Sequence, residues 1–475
     1  MNVRPSLQLL SEEQKAEVHR YSVRILEDTG IEVESDEALA IFRKSDAVIV
    51  RDRVVCLKEE LIDHAIKCAP SNIEVFNKAG DTAFHLGKKQ GGETYFGIGV
   101  TTTWFQDIES SQVELFTRKH MQHSSRLGDH LDNYSMVSTL GIPSDVEANK
   151  VDFYSALDMY ANTSKPLVLL ISGENRINDV FELLSFLHGD ISEKPFCIPY
   201  VNPITPLVLN KTTTDKMVAS IQSRIPLMFS NYSMYGGSSP ATPGGSLALL
   251  NAELLAGLVF GQLVREGSEI ILGSLPAAFN MNTMGSSYTP VSYLLNLACA
   301  EMMSFYEIPH CGTSGSVNGR GADLLAAENL WFNHLSSCIG KIGCAPFVGS
   351  NFDSLAFSPA KAIFSNQIIG KARKFAKGFD LNDEAVNLRE IGAVGHGGDY
   401  FTSEQTLASL HELGHSDELW SDMSLHVWKE QGMPSAEEEL TERASEIYAR
   451  AKKDSEDAMD LIQKGEEYIE RQQAL

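Results

Sequence analysis

The feature that most constrains the fold is an alternation, between residues 200 and 350, of short apolar runs with longer runs of helical spacing. Apolar runs of about 5–8 residues, each followed by an amphipathic segment, are typical of βα units and a parallel sheet. The predicted strands are Ile198–Pro203, Leu227–Tyr235, Glu269–Leu275, His310–Ser316 and Ile342–Ser350. The predicted helices are Thr213–Arg224, Gly244–Glu266, Thr289–Glu307 and Arg320–Ile339. This pattern predicts an α/β fold, a (β/α)8 TIM barrel, in which active sites lie at the carboxyl ends of the strands.

Segments outside this pattern predict additions at both ends of the barrel. The chain has 475 residues, whereas a typical barrel needs about 250. We assign residues 1–95 to an N-terminal α/β elaboration, residues 96–400 to the barrel, and residues 401–475 to a C-terminal helical extension. The first helix is predicted over Ser11–Asp28, with Ser11 as its N-cap. The predicted strand Arg51–Val55 and the predicted helix Val146–Asn162 belong to the same scheme.

Composition and charge exclude several classes of partner. The net charge of −24 disfavours nucleic acids and anionic membranes, because their phosphates would be repelled. No apolar run reaches the roughly 20 residues needed to cross a bilayer, and no signal peptide opens the chain. Seven scattered cysteines without a C-x-x-C pair predict core thiols rather than disulfides. We expect a cytoplasmic protein. The segment Gly244–Glu266 is apolar on most sides, as a long barrel helix against the sheet or against a subunit neighbour would be. We expect a homo-oligomer.

The side chains at the predicted strand ends are neutral amides, hydroxyls and aromatic rings. They are Asn202, Asn231, Tyr232, Tyr235, Ser274, Phe279, Asn318 and Phe352. No general acid, general base or metal-ligand set is evident among them, so no catalytic side chain is assigned. Aromatic faces with few charges suit a cation, above all a quaternary ammonium. The glycine-rich segment Gly91–Trp104 adds Tyr95 and Phe96, which either face the ligand or cover the core as part of a hairpin.

One short motif indicates different chemistry. His411–His415 reads HELGH and matches H-E-x-x-H, which on a helix presents two imidazoles to zinc with Glu412 as general base. The longer metalloprotease form fails, since Glu418 and Ser421 stand where glycine and histidine are required. Gly414 also weakens a helix. A zinc metallopeptidase is therefore kept as the alternative, and no other metal site is expected.

Several segments resemble the trimethylamine methyltransferase superfamily. The resemblance is carried by SNYSMYGGSSPATPGGSLALLNAELLAGLVFGQLV at 230–264 and ILGSLPAAFNMNTMGSSY at 271–288, with shorter matches in NTSKP at 162–166, in Gly97–Asp107 and in GHGGDYF at 395–401. Such proteins are (β/α)8 barrels that move a methyl group from a methylated amine to cobalt in a corrinoid (cobalamin) carried by a separate protein. This chain has no D-x-H-x-x-G corrinoid signature, so the resemblance implies a corrinoid partner that docks over the strand ends.

The archetype of this superfamily carries pyrrolysine, which this chain lacks. The equivalent run is NFDSLA at 351–356, and Phe357 falls near the pyrrolysine position. Relatives without pyrrolysine are similar to methyltransferases for quaternary amines, of which glycine betaine is the best-known substrate. A quaternary nitrogen already bears the charge that makes it a leaving group, so attack by Co(I) expels a neutral amine and no proton needs to move.

These observations predict a glycine betaine:corrinoid methyltransferase that releases dimethylglycine. The cation is expected among Tyr95, Phe96, Tyr232, Tyr235, Phe352 and Phe357. His396, between glycines, is expected to bind the substrate carboxylate together with Asn202 or Asn231. A betaine-binding protein without turnover is a weaker alternative.

Overall fold

A closed parallel barrel forms the centre of the protein. The computed structural model describes residues 2–173, 176–409 and 419–473. Within these ranges eight parallel strands close into a barrel, with the order β5-β4-β3-β2-β1-β8-β7-β6 and a final pairing of β6 with β5. The strands are β1 Tyr95–Ile98, β2 Tyr134–Ser138, β3 Leu167–Leu169, β4 Cys197–Val201, β5 Leu227–Tyr235, β6 Ile270–Asn280, β7 His310–Cys311 and β8 Cys344–Val348. The predicted TIM barrel is confirmed.

A helix follows each strand, as the alternating sequence pattern requires. The helices are α1 Arg118–His130, α2 Val151–Asn162, α3 Arg176–His188, α4 Lys211–Gln222, α5 Pro243–Val264, α6 Pro290–Phe305, α7 Leu324–Ile339 and α8 Pro359–Lys377. Side-chain caps fix several of their first turns: Thr117 caps α1, Thr289 caps α6 and Ser358 caps α8. These caps satisfy backbone N–H groups that have no partner within the helix.

Strand alternation separates two cores. In β5, Leu227 and Phe229 face outward and pack on helices, whereas Met228 faces the barrel interior. A hairpin of Asn72–Phe76 and Thr82–Gly87 inserts Ile73 and Phe84 into that interior. Phe84 stacks on Tyr95, the first residue of β1, with ring centroids 4.4 Å apart. The hairpin therefore closes the amino-terminal end of the barrel and leaves the carboxyl ends of the strands as the open face.

Elements before the barrel pack on its helices. They are the strand Asn2–Val3, the helix Glu12–Arg24, the π-helical turn Ile25–Thr29, the strand Ile31–Val33, the helix Asp36–Phe42, the strands Val48–Arg51 and Val54–Leu57, and the helix Glu59–Cys68. Phe42 packs against Phe260 of α5 with ring centroids 5.3 Å apart. The strand Val208–Leu209, which follows β4, extends the small sheet of this region by pairing with Ile31–Val33. The division at residue 95 stays a prediction.

Elements after the barrel are mostly helical. Within the described residues they are the short strand Phe379–Asp380 and the helices Asp383–Val386, Leu388–Val394, Glu404–Ala408, Leu425–Glu430, Ala436–Ala451 and Glu456–Gln473. The last two helices pack on the outside of the barrel: Tyr448 is buried in the core beside α1 and α8, and Ile469 packs with Leu157 and Leu183. Arg118 of α1 forms ion pairs with Asp158 of α2, at 2.8 Å, and with Glu466 of the last helix, at 2.6 Å.

Three local predictions are corrected. The predicted strand Arg51–Val55 spans a turn, because Asp52 has a φ of 57° and the chain reverses there between two strands. The predicted helix Val146–Asn162 begins only at Val151. Helix α5 has the length and apolarity to cross a membrane, contrary to the sequence prediction, but 89% of its most apolar window is buried inside the fold. That burial accounts for its composition.

Short strands near the open face form a separate small sheet. They are Trp104–Gln106, Val113–Leu115, Ser350–Asn351 and Ala356–Phe357. This sheet connects the segment after β1 with the segment after β8, since Ala356 pairs with Trp104 and Phe357 with Phe105. A fifth short strand, Gly285–Ser287, turns back against the end of β6.

Candidate active site

Segments that follow β5, β6, β7 and β8 meet at the open face of the barrel. Strand β6 runs on to Asn280 and pairs there with the returning strand Gly285–Ser287. The backbone N–H of Phe352, after β8, donates to the carbonyl oxygen of Gly319, after β7, at 2.9 Å. We define the mouth cluster by the residues that these segments bring together: Tyr232, Ser286, Tyr288, Asn318, Phe352 and Asp353.

Asp353 supplies a carboxylate to this cluster. Its Oδ2 atom accepts hydrogen bonds from the backbone N–H of Ser286, at 3.1 Å, and from the Ser286 hydroxyl. Its Oδ1 atom is buried and has no hydrogen-bond partner. Burial raises the pKa of the Asp353 carboxyl, and the two Ser286 bonds oppose that rise. A buried carboxylate oxygen without a donor is an uncompensated negative charge, so this position favours a cationic ligand.

Aromatic hydroxyls surround that carboxylate. Tyr232 lies near the end of β5, and its pKa is raised by burial and by the charge of Asp353 while Ser286 bonds to its hydroxyl. Tyr288 is buried, and the same charge contributes to its raised pKa. The amide of Asn318 reaches Ser287 Oγ at 3.5 Å and the Tyr288 carbonyl at 3.4 Å. At these distances the hydrogen bonds that the amide makes within the protein are weak.

The loop that carries Asp353 has an uncommon backbone. Phe352, Asp353 and Ser354 have φ values of 53°, 57° and 66°, so three successive non-glycine residues are left-handed. Such conformations cost of order 1–3 kcal/mol each and tend to occur at functional sites. Neighbouring bonds hold the loop in place, including the bond from the Leu355 N–H to the Asn351 carbonyl oxygen at 3.1 Å. The protein therefore fixes the direction of the Asp353 side chain.

Below the mouth cluster the barrel interior is aromatic. The rings of Tyr200 in β4 and Phe347 in β8 pack edge to face, with centroids 4.8 Å apart. Asn202, which follows β4, donates its side-chain amide to the Tyr200 hydroxyl at 3.2 Å. Burial raises the pKa of Tyr200, so this phenol stays protonated at neutral pH. These groups offer apolar surface and neutral hydrogen-bonding groups at the strand ends.

Comparison with known proteins identifies the family. The family model described as Trimethylamine methyltransferase (MTTB) matches residues 1–474. The chain belongs to this family. It is therefore a methyltransferase, and the sequence prediction of the superfamily is confirmed.

Curated relatives cover most of this methyltransferase. Trimethylamine methyltransferase MttB of Desulfitobacterium hafniense is 24% identical over 441 residues, which cover 92% of this chain and 87% of the relative. Glycine betaine methyltransferase from another strain of that species is 24% identical over 407 residues, covering 85% and 84%. The crystal structure of the Methanosarcina barkeri monomethylamine methyltransferase superposes with a TM-score of 0.53 at 10% identity, covering 95% of this chain and 88% of that one. At that identity the structural likeness supports the fold alone.

Of the residues that the sequence indicated for substrate binding, three lie at the mouth of the methyltransferase barrel. Tyr232 and Phe352 belong to the mouth cluster, and both are more than one-third exposed. Asn202 follows β4, beside the Tyr200 hydroxyl. They come together because the carboxyl ends of parallel strands share one face of the barrel.

Two of the remaining aromatic residues are the first two of β1, and their rings lie away from the mouth. Tyr95 is at the amino-terminal end of the strand, where it stacks on Phe84 of the closing hairpin. Phe96 is fully buried and faces outward, in edge-to-face contact with His334 of α7 at 5.4 Å. Residues 95–98 form a parallel barrel strand, neither part of a hairpin that covers the core nor a segment that faces a ligand at the mouth.

Three other residues face the outer helices. Asn231 is fully buried and donates to Glu253 of α5 at 2.8 Å, since successive residues of β5 alternate between interior and exterior. Tyr235 bonds through its hydroxyl to Thr289, the cap of α6, at 2.9 Å. Phe357 is fully buried in the core shared with Phe105.

The structure describes one of the two histidine motifs. His396 is exposed in the turn after the helix Leu388–Val394, and among the described residues no hydrogen bond or ion pair joins it to the strand ends. The HELGH motif at 411–415 lies outside the described residues.

Sequence reasoning missed Asp353, Ser286 and Tyr288. The available signal for Asp353 was its place three residues after the predicted strand Ile342–Ser350, where a charged residue in a barrel reads as functional. Ser286 and Tyr288 gave no comparable signal, because they reach the mouth only when the end of β6 turns back on itself.

Proposed function

We propose that the protein transfers a methyl group from a small quaternary amine, in the first instance glycine betaine, to Co(I) of a separate corrinoid protein and releases dimethylglycine. The observation that carries this proposal is the unpartnered carboxylate oxygen of Asp353, whose charge acts on Tyr232 and whose neighbour in the chain is the exposed Phe352. The relative named glycine betaine methyltransferase supports the same substrate class.

Charge matches this substrate class. A quaternary ammonium has no N–H, so it cannot donate a hydrogen bond to Asp353. Its positive charge is nevertheless attracted to the carboxylate and to aromatic faces. Its methyl carbons also form weak C–H···O contacts. Because the departing amine is neutral and leaves without taking up a proton, the site needs to orient one N–CH3 bond and exclude water.

Neutral donors fit the other end of glycine betaine. The amides of Asn318 and Asn202 lie at strand ends of the same barrel, and an amide N–H can donate to a carboxylate without attracting every anion. The sequence candidate His396 remains a proposal as a second donor. The carboxylate would then point away from Asp353, which its charge repels, while the ammonium points toward it.

A corrinoid partner fits the surface around the mouth. We define the apolar rim as Trp104, Met281, Met284, Leu324 and Leu355, all exposed on segments that follow barrel strands. Met281 is 80% exposed and Leu324 is 81% exposed, as expected for side chains that become covered in a complex. When bound there, the corrinoid supplies the Co(I) nucleophile that accepts the methyl group. The rim would place it against the mouth cluster and keep water away.

Two further properties belong to the proposal. All seven cysteines lie in the described ranges and are free, which fits a cytoplasmic enzyme in a reducing compartment. Exposed apolar side chains on the outer surface of α6 and α7 fit a homo-oligomer interface. They are Leu294, Trp331 and Phe332.

The test is a methyl-transfer assay with the full-length protein. Reduced corrinoid is incubated with glycine betaine, choline or trimethylamine, and methylated corrinoid is followed by visible absorbance. We expect turnover with glycine betaine and a loss of at least tenfold in kcat/KM for Asp353→Asn. Asp380→Asn, which removes an exposed carboxylate outside the mouth, is the matched control and should keep full activity.

Other outcomes would point elsewhere. Turnover of trimethylamine alone would overturn the quaternary-amine assignment. Binding of glycine betaine without methylated corrinoid would indicate a binding protein. Peptide hydrolysis that requires His411 and His415 would indicate the zinc peptidase.

A further inference from the structure

Three potential metal ligands meet on the surface at the amino-terminal side of the barrel. His64 and Cys68 are one turn apart on the helix Glu59–Cys68, and Glu266 lies just beyond the end of α5. Cys68 Sγ is 3.3 Å from His64 Nε2 and 3.4 Å from Glu266 Oε1, and His64 Nε2 is 3.8 Å from Glu266 Oε2. One ligand atom from each residue lies within 4.8 Å of the others.

These separations match those around a tetrahedral zinc ion. Ligand distances of about 2.3 Å for sulfur and about 2.0–2.1 Å for nitrogen and oxygen give tetrahedron edges of roughly 3.3–3.6 Å. The Cys68–His64 separation of 3.3 Å and the separation of 3.4 Å between Cys68 Sγ and Glu266 Oε1 lie close to those edges, whereas the 3.8 Å from His64 runs to the other carboxylate oxygen, Oε2. A rotation of the Glu266 carboxylate, with small adjustments of the other two side chains, would therefore bring one ligand atom of each residue to a common ion.

The types of ligand select the class of ion. Thiolate and imidazole are ligands for zinc and similar borderline cations, whereas calcium and magnesium take oxygen ligands. His64 and Glu266 have side chains that are 57% and 69% exposed, so an ion from solution reaches them directly. We propose that His64, Cys68 and Glu266 form a zinc-type divalent metal site with water in the fourth position.

The position of the site assigns it a structural role. Barrel helices end on the face opposite to the carboxyl ends of the strands, so Glu266 at the end of α5 lies on the face away from the mouth cluster. The ion would join the N-terminal helix Glu59–Cys68 to α5, two elements that already pack against each other. Metal bound only by the folded arrangement stabilises it. Methyl transfer at the mouth should not depend on this ion.

Cobalt(II) titration of the full-length protein tests the proposal. The experiment uses a His411→Ala/His415→Ala background, which removes the HELGH motif as a competing site. We expect one equivalent of Co2+ to bind and to give the near-ultraviolet absorption band of thiolate ligation. Cys68→Ser should abolish that band and weaken binding at least tenfold. Glu266→Gln should keep the band and also weaken binding at least tenfold.

Controls separate this site from adventitious binding. Glu59→Gln removes an exposed carboxylate from the same helix and should leave the titration unchanged. Zn2+ should compete with Co2+ and raise the Tm of the His411→Ala/His415→Ala protein, and at the same zinc concentration the rise should be smaller when Glu266→Gln is added. No thiolate band in the starting protein, or an unchanged titration in both Cys68→Ser and Glu266→Gln, would overturn the proposal. The readouts are independent of methyl transfer, so they do not depend on the proposed reaction.

Discussion

Tyr232 offers the most direct test of cation recognition by a single residue. The residue is 39% exposed and feels the charge of the Asp353 carboxylate. Tyr232→Phe keeps the ring face, whereas Tyr232→Leu removes it, and a cation–π contact is worth about 0.5–2 kcal/mol. We therefore expect Leu, but not Phe, to weaken glycine betaine binding by roughly 2–30-fold in calorimetric titrations. Phe375→Leu, at an exposed ring near the end of α8, is the matched control. Equal binding by Tyr232→Leu and wild type would remove this ring from the site.

Lys361 offers a residue-scale test of pH dependence. It is fully buried in α8, its Nζ donates to the Ser350 carbonyl, and burial lowers its pKa from 10.5 to about 7. Between those pH values the unfolded chain binds more protons at this site than the folded chain. The free energy of unfolding therefore rises with pH across this window. The stability that neutral Lys361 allows is fully present above pH 10.5 and is lost as the pH falls toward 7. Neutral Lys361→Met should flatten the rise of the unfolding free energy across this window.

Urea unfolding at several pH values measures that slope. Lys374→Met, at an exposed lysine of the same helix, serves as control and should keep the wild-type slope. An identical slope in wild type and Lys361→Met would mean that Lys361 remains charged in the folded protein.

At the scale of elements, the packing of the last helix on α2 can be tested through Gly465. A Cβ at this position would lie 2.2 Å from Leu157 Cδ1, inside a contact that also includes Ile469. Gly465→Val should cost about 1–3 kcal/mol through overpacking and expose the tail to limited proteolysis. Gly392→Ala, in a helix where the added Cβ meets open space, should be neutral or slightly stabilising. A wild-type proteolysis pattern in Gly465→Val would contradict the packing.

Strands and helices of the barrel were predictable where the residue composition of a segment and its hydrophobic periodicity indicated the same structure. Leu227–Tyr235 has the same bounds in sequence and structure, because Pro226 precedes this run and Gly236 follows it, and both residue types mark strand ends. His310–Ser316 was predicted as a strand, yet only His310 and Cys311 pair, since the small residues that follow form the loop to α7. Periodicity alone does not separate a strand from a loop that continues its direction.

At the scale of the whole molecule, the residues that reach the mouth are decided by which side chains of each strand point into the barrel and which point toward the helices. Tyr232 and Asn231 are adjacent, but one faces the mouth and the other faces α5. A shift of one residue in register exchanges the two faces, and no periodic signal in SNYSMY fixes that choice. The metal ligands were missed for another reason: His64 and Glu266 are far apart in sequence and meet only when the N-terminal helix packs on α5.

The last prediction concerns how the whole molecule would meet its corrinoid partner. If the apolar rim is the docking surface, Met281→Glu/Leu324→Glu adds charge where a partner would bury apolar side chains, and the complex weakens. We expect at least a tenfold rise in the KM for the corrinoid protein, with little change in the rate with free cobalamin, because the mouth cluster is intact. Leu425→Glu, at an exposed leucine of the C-terminal extension, should change neither parameter. Equal loss with free cobalamin and with the corrinoid protein would place the defect in the active site, and an unchanged KM would move the docking surface away from the rim.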